Sequence, residues 1–292
     1  MLGTNDAAIL QHSIEQWKRE IPDYVSKLED KIISRKIVDT RKVGAEIMWD
    51  HVTHYERTGE GAQILAKGST PKGSGSEASD VPFEMFQICD AFKINQKDLH
   101  LDPKLKSRDM NIILKNIHRK ENIMAIRGDA ATNIVGITGA AAANSNGVVN
   151  RTAVWTDPST AKYYNDVRNM TDKVDPDFEL RWLVGNKLDL NKMDYLSDDT
   201  KQPIWKQIAS LFGKSETDPK NSWQVPLGNL TLPQGKVYGV VQDPDAAEFV
   251  ISENPALRDL GMESGGNIPI EMFEWVRMEV HNNQCFVELT VN

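Results

Sequence analysis

Residues 58 to 80, TGEGAQILAKGSTPKGSGSEASD, carry five glycines and four serines and cannot pack a core of their own. On either side lie runs rich in aromatic and branched residues, GAEIMWDHVTHYER (44 to 57) and VPFEMFQICDAFKI (81 to 94), which read as strands. Together the three stretches predict a long two-stranded arm with a loose tip. An isolated hairpin is marginal in water, so such an arm ought to lie on something, most simply a neighbouring subunit. This limits what the remainder can be: a body that carries a projection.

That body begins with an amphipathic helix. Leu10, Ile14, Trp17, Ile21, Tyr24, Leu28 and Ile32 recur at spacings of three and four, with Pro22 expected to break or restart the helix. Periodicity fits a partner-binding helix and an ordinary docked helix equally well. A second helix is expected over 102 to 127, with Asp102 as N-cap and Pro103 at its first position. Met110, Ile113, Leu114, Ile117 and Met124 form its apolar face, opposite Lys106, Arg108, Lys115 and Arg119. The following GITGAAAANSNG reads as a crossing between domains. Beyond 151 the pattern is mixed: a capped helix after TDPSTAKYYNDVRNM, a half-buried strand at FELRWLV (178 to 184), and a helix at PIWKQIASLF. Short strands follow at KVYGVVQ and AEFVI. MFEWVRMEV and CFVELTV, linked through His281, Asn282 and Asn283, read as a closing hairpin. There is no internal repeat.

Composition excludes several classes. With 292 residues, 40% hydrophobic and 26% charged, the chain suits one or two ordinary globular domains. A formal charge of -8 argues against a dedicated nucleic-acid or anionic-membrane binder. No run approaches the roughly 18 apolar residues of a membrane span. The N-terminus lacks the basic start and apolar stretch of a signal peptide. Cys89 and Cys285 are the only cysteines, which excludes a disulfide framework and points to an intracellular origin.

The octet LVGNKLDL (183 to 190) contains Asn-Lys-x-Asp, the guanine-gripping box of small GTPases. That box works only beside a phosphate cradle of the form G-x-x-x-x-G-K-[ST]. GSTPKGSGS (68 to 76) lacks the Gly-Lys-Ser and lies in the loose tip. The plainer reading is a strand terminus, with Gly185 and Asn186 supplying turn chemistry. His51 and His54 fall on opposite faces of a strand and have no third ligand nearby. Arg127 and Gly128 of the RGD tripeptide read as a helix stop. Asp194, Asp198 and Asp199 read as a solvated loop rather than a cation site. No G-x-S-x-G elbow or H-E-x-x-H helix is present, and neither an enzyme nor any cofactor or metal is expected.

The order of parts is distinctive. QWKREIPDYVSKLEDKIISRKIVD (16 to 39), RKENIMAIRGDAATNIVGITG (119 to 139) and LRWLVGNKLDL followed by PIWKQIASLF resemble the shell proteins of the Hong Kong 97-type fold. That family builds tailed-virus capsids and encapsulin nanocompartments. The resemblance implies an α+β chain with an N-terminal helix and arm (1–45) and an E-loop hairpin (46–94). A peripheral domain with a long spine helix (95–130), an axial domain (131–270) and a C-terminal hairpin (271–292) would follow. It places Lys67, Lys72 and Glu77 at an inter-subunit arm tip, and Asp198, Asp199 and Lys201 in an axial pore loop. Some relatives crosslink an arm lysine to a neighbour's asparagine. For Lys67 and Lys72 the plainer reading is solvated side chains.

The function so implied is a major capsid protein assembling through pentamers and hexamers into an icosahedral shell around double-stranded DNA, bound without sequence specificity. The shell would form in the host cytoplasm and become the virion capsid, with portal, scaffold or decoration proteins as further partners and no membrane. The alternative is an encapsulin shell around a cargo enzyme. Because the first helix begins within ten residues, no long cleaved scaffolding segment is expected.

Overall fold

In the computed structural model, the described residues are 4–28, 32–43, 49–58, 75–95, 103–157, 160–196, 201–252, 255–261, 263 and 267–292. The first apolar stripe forms α1 (Thr4–Leu28), which continues through Pro22 instead of breaking there. Pro22 and Lys18, whose carbonyl loses its intrahelical partner, are both exposed, so water can replace the missing bond. Leu10, Trp17 and Ile21 are buried, and Ile14 packs half-buried beside them. The helix therefore docks on its own chain. A short α2 (Ile33–Ile37) and β1 (Asp39–Val43) then lead towards the arm.

The arm consists of β2 (Trp49–Thr58) and β3 (Gly75–Glu84), antiparallel from Trp49↔Glu84 to Thr58↔Gly75. Among the described residues these two strands pair only with each other. The run 81 to 94, expected as one strand, is two. Met85 is buried at the division, and β4 (Phe86–Asn95) leaves the arm to pair with β11 (Asn267–Val280).

β11 organises the first five-stranded sheet. It pairs with β4, with β9 (Ala247–Ser252) and with β10 (Ala256–Asp259), while β1 adds in parallel to β9. Against this sheet lies α3 (Pro103–Arg127), with Met110, Ile113, Leu114, Ile117 and Met124 all buried as its pattern predicts.

The second sheet has the order β5 (Val148–Asn150), β12 (Phe286–Thr290), β8 (Lys236–Val240), β6 (Trp182–Asn186), β7 (Gln224–Leu227). The glycine- and alanine-rich stretch is not a bare crossing but helix α4 (Ile137–Ala143), whose Ile137, Ala140 and Ala141 are buried against β12 and β8. α5 (Tyr163–Thr171) also packs on β12 and β5; its N-cap, Lys162, makes no side-chain capping bond. FELRWLV is not a half-buried strand either. β6 starts only at Trp182, and all five of its residues are buried, as befits a central strand.

The closing hairpin is absent. β11 and β12 belong to different sheets. The His281 and Asn282 amides both donate to the Ala246 carbonyl, at 3.0 and 3.1 Å. A 3₁₀ turn, Asn283–Cys285, started by the Asn282 side chain, then turns the chain into the second sheet. Among the described residues no helix is long and apolar enough to cross a membrane.

Candidate functional site

The guanine-like box resolves into structural parts. Asn186 ends β6 and caps α6 (Lys187–Leu190) by accepting the Leu188 amide at 3.0 Å. Its Nδ2 donates to the Leu232 carbonyl at 2.7 Å. Asp189, fully buried, accepts the Gly235 amide at 2.7 Å and pairs with Lys192 at 2.8 Å. Both side chains that would grip guanine are committed inside the protein. Arg127 ends α3, as the helix-stop reading predicts, and its Nε donates to the Thr231 carbonyl at 2.6 Å.

The predicted site residues fall in three places. Leu10, Ile14, Trp17 and Ile21 line the docked face of α1, where Trp17 meets Phe92 edge to face at 5.7 Å. Lys67 and Lys72 lie outside the described residues, while Glu77 stands on β3 at the register position of Glu56. Asp198 and Asp199 also lie outside them. The base of their loop is set by α7 (Ile204–Ala209), whose Ile204 amide donates to the Tyr195 carbonyl at 3.0 Å, and by a bridge between Leu196 and Pro203. Lys201 is exposed, with φ +54°, and Tyr195 and Leu196 are exposed at the loop's other root.

One cluster escaped the sequence reading: Arg35, His118, Glu121 and Glu274, where α2, α3 and β11 meet. Arg35 Nη2 donates to Glu121 Oε1 at 3.1 Å and to Glu274 Oε1 at 2.8 Å, and its Nε donates to Glu121 Oε1 at 3.2 Å. His118 Nδ1 lies 2.6 Å from Glu121 Oε2. Both carboxylates are fully buried and His118 is 4% exposed. Burial first, and the Glu121 charge second, push the Glu274 carboxyl well above the usual range, against the pull of Arg35 and Lys42. The His118, Glu121 and Glu274 ligand atoms lie within 4.8 Å of one another. Arg35 already bridges the two carboxylates, so the group is built as an ion-pair cluster. A signal was present in the sequence. Glu274 is in phase with Ile270, Met272, Val276 and Met278 on the buried face of β11, and Glu121 is in phase with Leu114 and Ile117 on α3.

No protein-family model matches the chain, and no curated protein matches it. Solved structures do. The capsid of a native GTA particle superposes with TM-score 0.64 at 15% identity, over 89% of this chain and 89% of that one. Microbacterium phage Oxtober96 gives 0.62 at 11% identity, over 88% and 90%. The virus-like particle from Pyrococcus furiosus gives 0.59 at 13% identity, over 91% and 97%.

The chain has the Hong Kong 97-type fold. Within this α+β fold the Arg35 cluster is where the segment leading to the arm is fastened to the long helix and the central strand.

Proposed function

We propose that this protein is a shell protein that assembles with its own copies into a closed icosahedral capsid, through pentamers and hexamers, and encloses double-stranded DNA. The observation carrying this reading is the arm: ten paired positions on a fold shared with capsid chains, bonded among the described residues only to itself. A two-stranded ribbon gains stability by lying on a larger surface, and its unpaired edges are templates for other chains. Lys67, Lys72 and Glu77 then belong to the contact between subunits, and Asp198, Asp199 and Lys201 ring a symmetry axis. With a net charge of -8, the shell confines DNA rather than gripping its sequence. The finished particle is a virion capsid, assembled in the host cytoplasm and completed by portal, scaffold or decoration proteins.

Expression of the full chain followed by electron microscopy and analytical ultracentrifugation tests assembly. Closed particles or rings are expected; a compact monomer at high concentration overturns the reading. Particles purified from infected or producing cells should protect DNA from nuclease. Particles that instead hold a protein and no DNA would identify a nanocompartment shell.

A further inference from the structure

The Arg35 cluster sets two buried carboxylates against one guanidinium. Arg35 brings +1, and Glu121 and Glu274 as carboxylates bring -2. A carboxylate only accepts, so His118 Nδ1 carries the hydrogen between it and Glu121 Oε2. His118 Nε2 is buried without a hydrogen-bond partner. Glu121 has both oxygens engaged, by Arg35 and by His118. Glu274 has one: Oε1 accepts from Arg35, while Oε2 is buried with no partner. An unpartnered anionic oxygen is far costlier to bury than an acid group.

The surroundings offer little relief. Facing Glu274 are Arg35 from α2, the exposed Lys42 from β1, and Glu121 and His118 from α3. From β4, its paired position is the apolar Ile88. A divalent cation among these groups would have to sit beside Arg35, which already bridges both carboxylates. A single proton on Glu274 leaves one carboxylate to pair with Arg35.

We propose that Glu274 is held as the neutral acid, and that losing its proton loosens α2 and β1 at the root of the arm, making the arm's anchorage sensitive to pH. The importance of that anchorage rests on the assembly reading above. The proton itself does not. The direction follows from linkage. The folded state keeps a proton that the unfolded chain gives up, so the cluster is tightest at low pH. It weakens as pH climbs from the ordinary carboxylate range through the raised folded value.

Hydrogen exchange on the whole chain, corrected for base catalysis, reads the amides of residues 34–43 directly. Protection in the unmodified protein should fall at least about tenfold between about pH 5 and about pH 9, the range over which buried carboxyls titrate. Glu274→Gln should keep the low-pH protection throughout. A flat unmodified profile, or the same slope in Glu274→Gln, overturns the proposal. Should the variant not fold, infrared spectroscopy of the unmodified protein decides: a protonated carboxyl band at neutral pH that vanishes at alkaline pH is expected, and its absence overturns it. Loss of the protection by a chelator, with recovery on adding zinc, also overturns it in favour of a metal site. None of these readouts requires particles, so failure of assembly and failure of the proton clamp are separate results.

Discussion

Asp189 Oδ2 accepts the backbone N–H of Gly235 at 2.7 Å, fastening the turn after β6 to the start of β8 inside the second sheet. Its other oxygen takes Lys192. Asp189→Ala removes both and strands a buried amide, which should cost about 3 kcal/mol in urea unfolding. Asp189→Asn should cost less, because its amide oxygen still accepts from Gly235. Guanine nucleotides should leave the melting temperature of the unmodified protein unchanged, since the box residues are spent on the fold.

Trp17 joins α1 to β4 through Phe92 and is 2% exposed. Trp17→Ala should destabilise the subunit by about 3–4 kcal/mol, the usual cost of deleting a buried aromatic. The exposed Lys18→Ala should stay within about 0.5 kcal/mol of the parent. Denaturant curves with a common slope would check both. A negligible loss at Trp17 would mean that α1 leaves the body in solution and is available to partners.

How much of this was legible depended on whether a signal was local. The face of α3 was, because Met110, Leu114, Ile117 and Met124 repeat within one helix and meet one sheet. β6 was misplaced because Glu179 and Arg181, which suggested alternation, precede the strand. The expected β11–β12 hairpin failed because a three-residue link is compatible with pairing but does not require it. The Ala246 carbonyl, distant in sequence, takes both linker amides and sends the chain into the other sheet. Arg35 and Glu274 are 239 positions apart, a pairing no spacing rule reaches. Even so, a glutamate in phase with Met272 and Val276 marked the strand as carrying a buried acidic side chain.

Gly136 and Gly128 meet where α3 turns into α4. A Cβ on Gly136 would lie 2.2 Å from the Gly128 nitrogen and 2.7 Å from the Arg127 carbonyl carbon, both backbone atoms. Gly136 has φ -91°, so its requirement is space, not handedness. Gly136→Ala should destabilise by about 3 kcal/mol or more and reduce soluble yield. Gly228→Ala, with open space around its Cβ, should be close to neutral. Thermal melts of the two variants side by side make the comparison.

The segment between Tyr195 and α7 tests the axial assignment within the proposed shell. Its base is fixed by the Tyr195–Ile204 hydrogen bond and the Leu196–Pro203 bridge. Changes at Asp198 and Asp199 should therefore leave the subunit fold alone. Around a symmetry axis each aspartate would face its own copies, and like charges at close range repel in a way that salt screens. Asp198→Asn with Asp199→Asn should raise the melting temperature of assembled particles at low salt and flatten its dependence on salt concentration. Lys201, exposed and in the left-handed region, stays unchanged in both proteins and so does not confound the comparison. Particle melting followed by light scattering across a salt series gives the slope. An unchanged slope would place this loop away from the axis, and the exposed Tyr195 and Leu196 would then be read as part of a lateral contact instead.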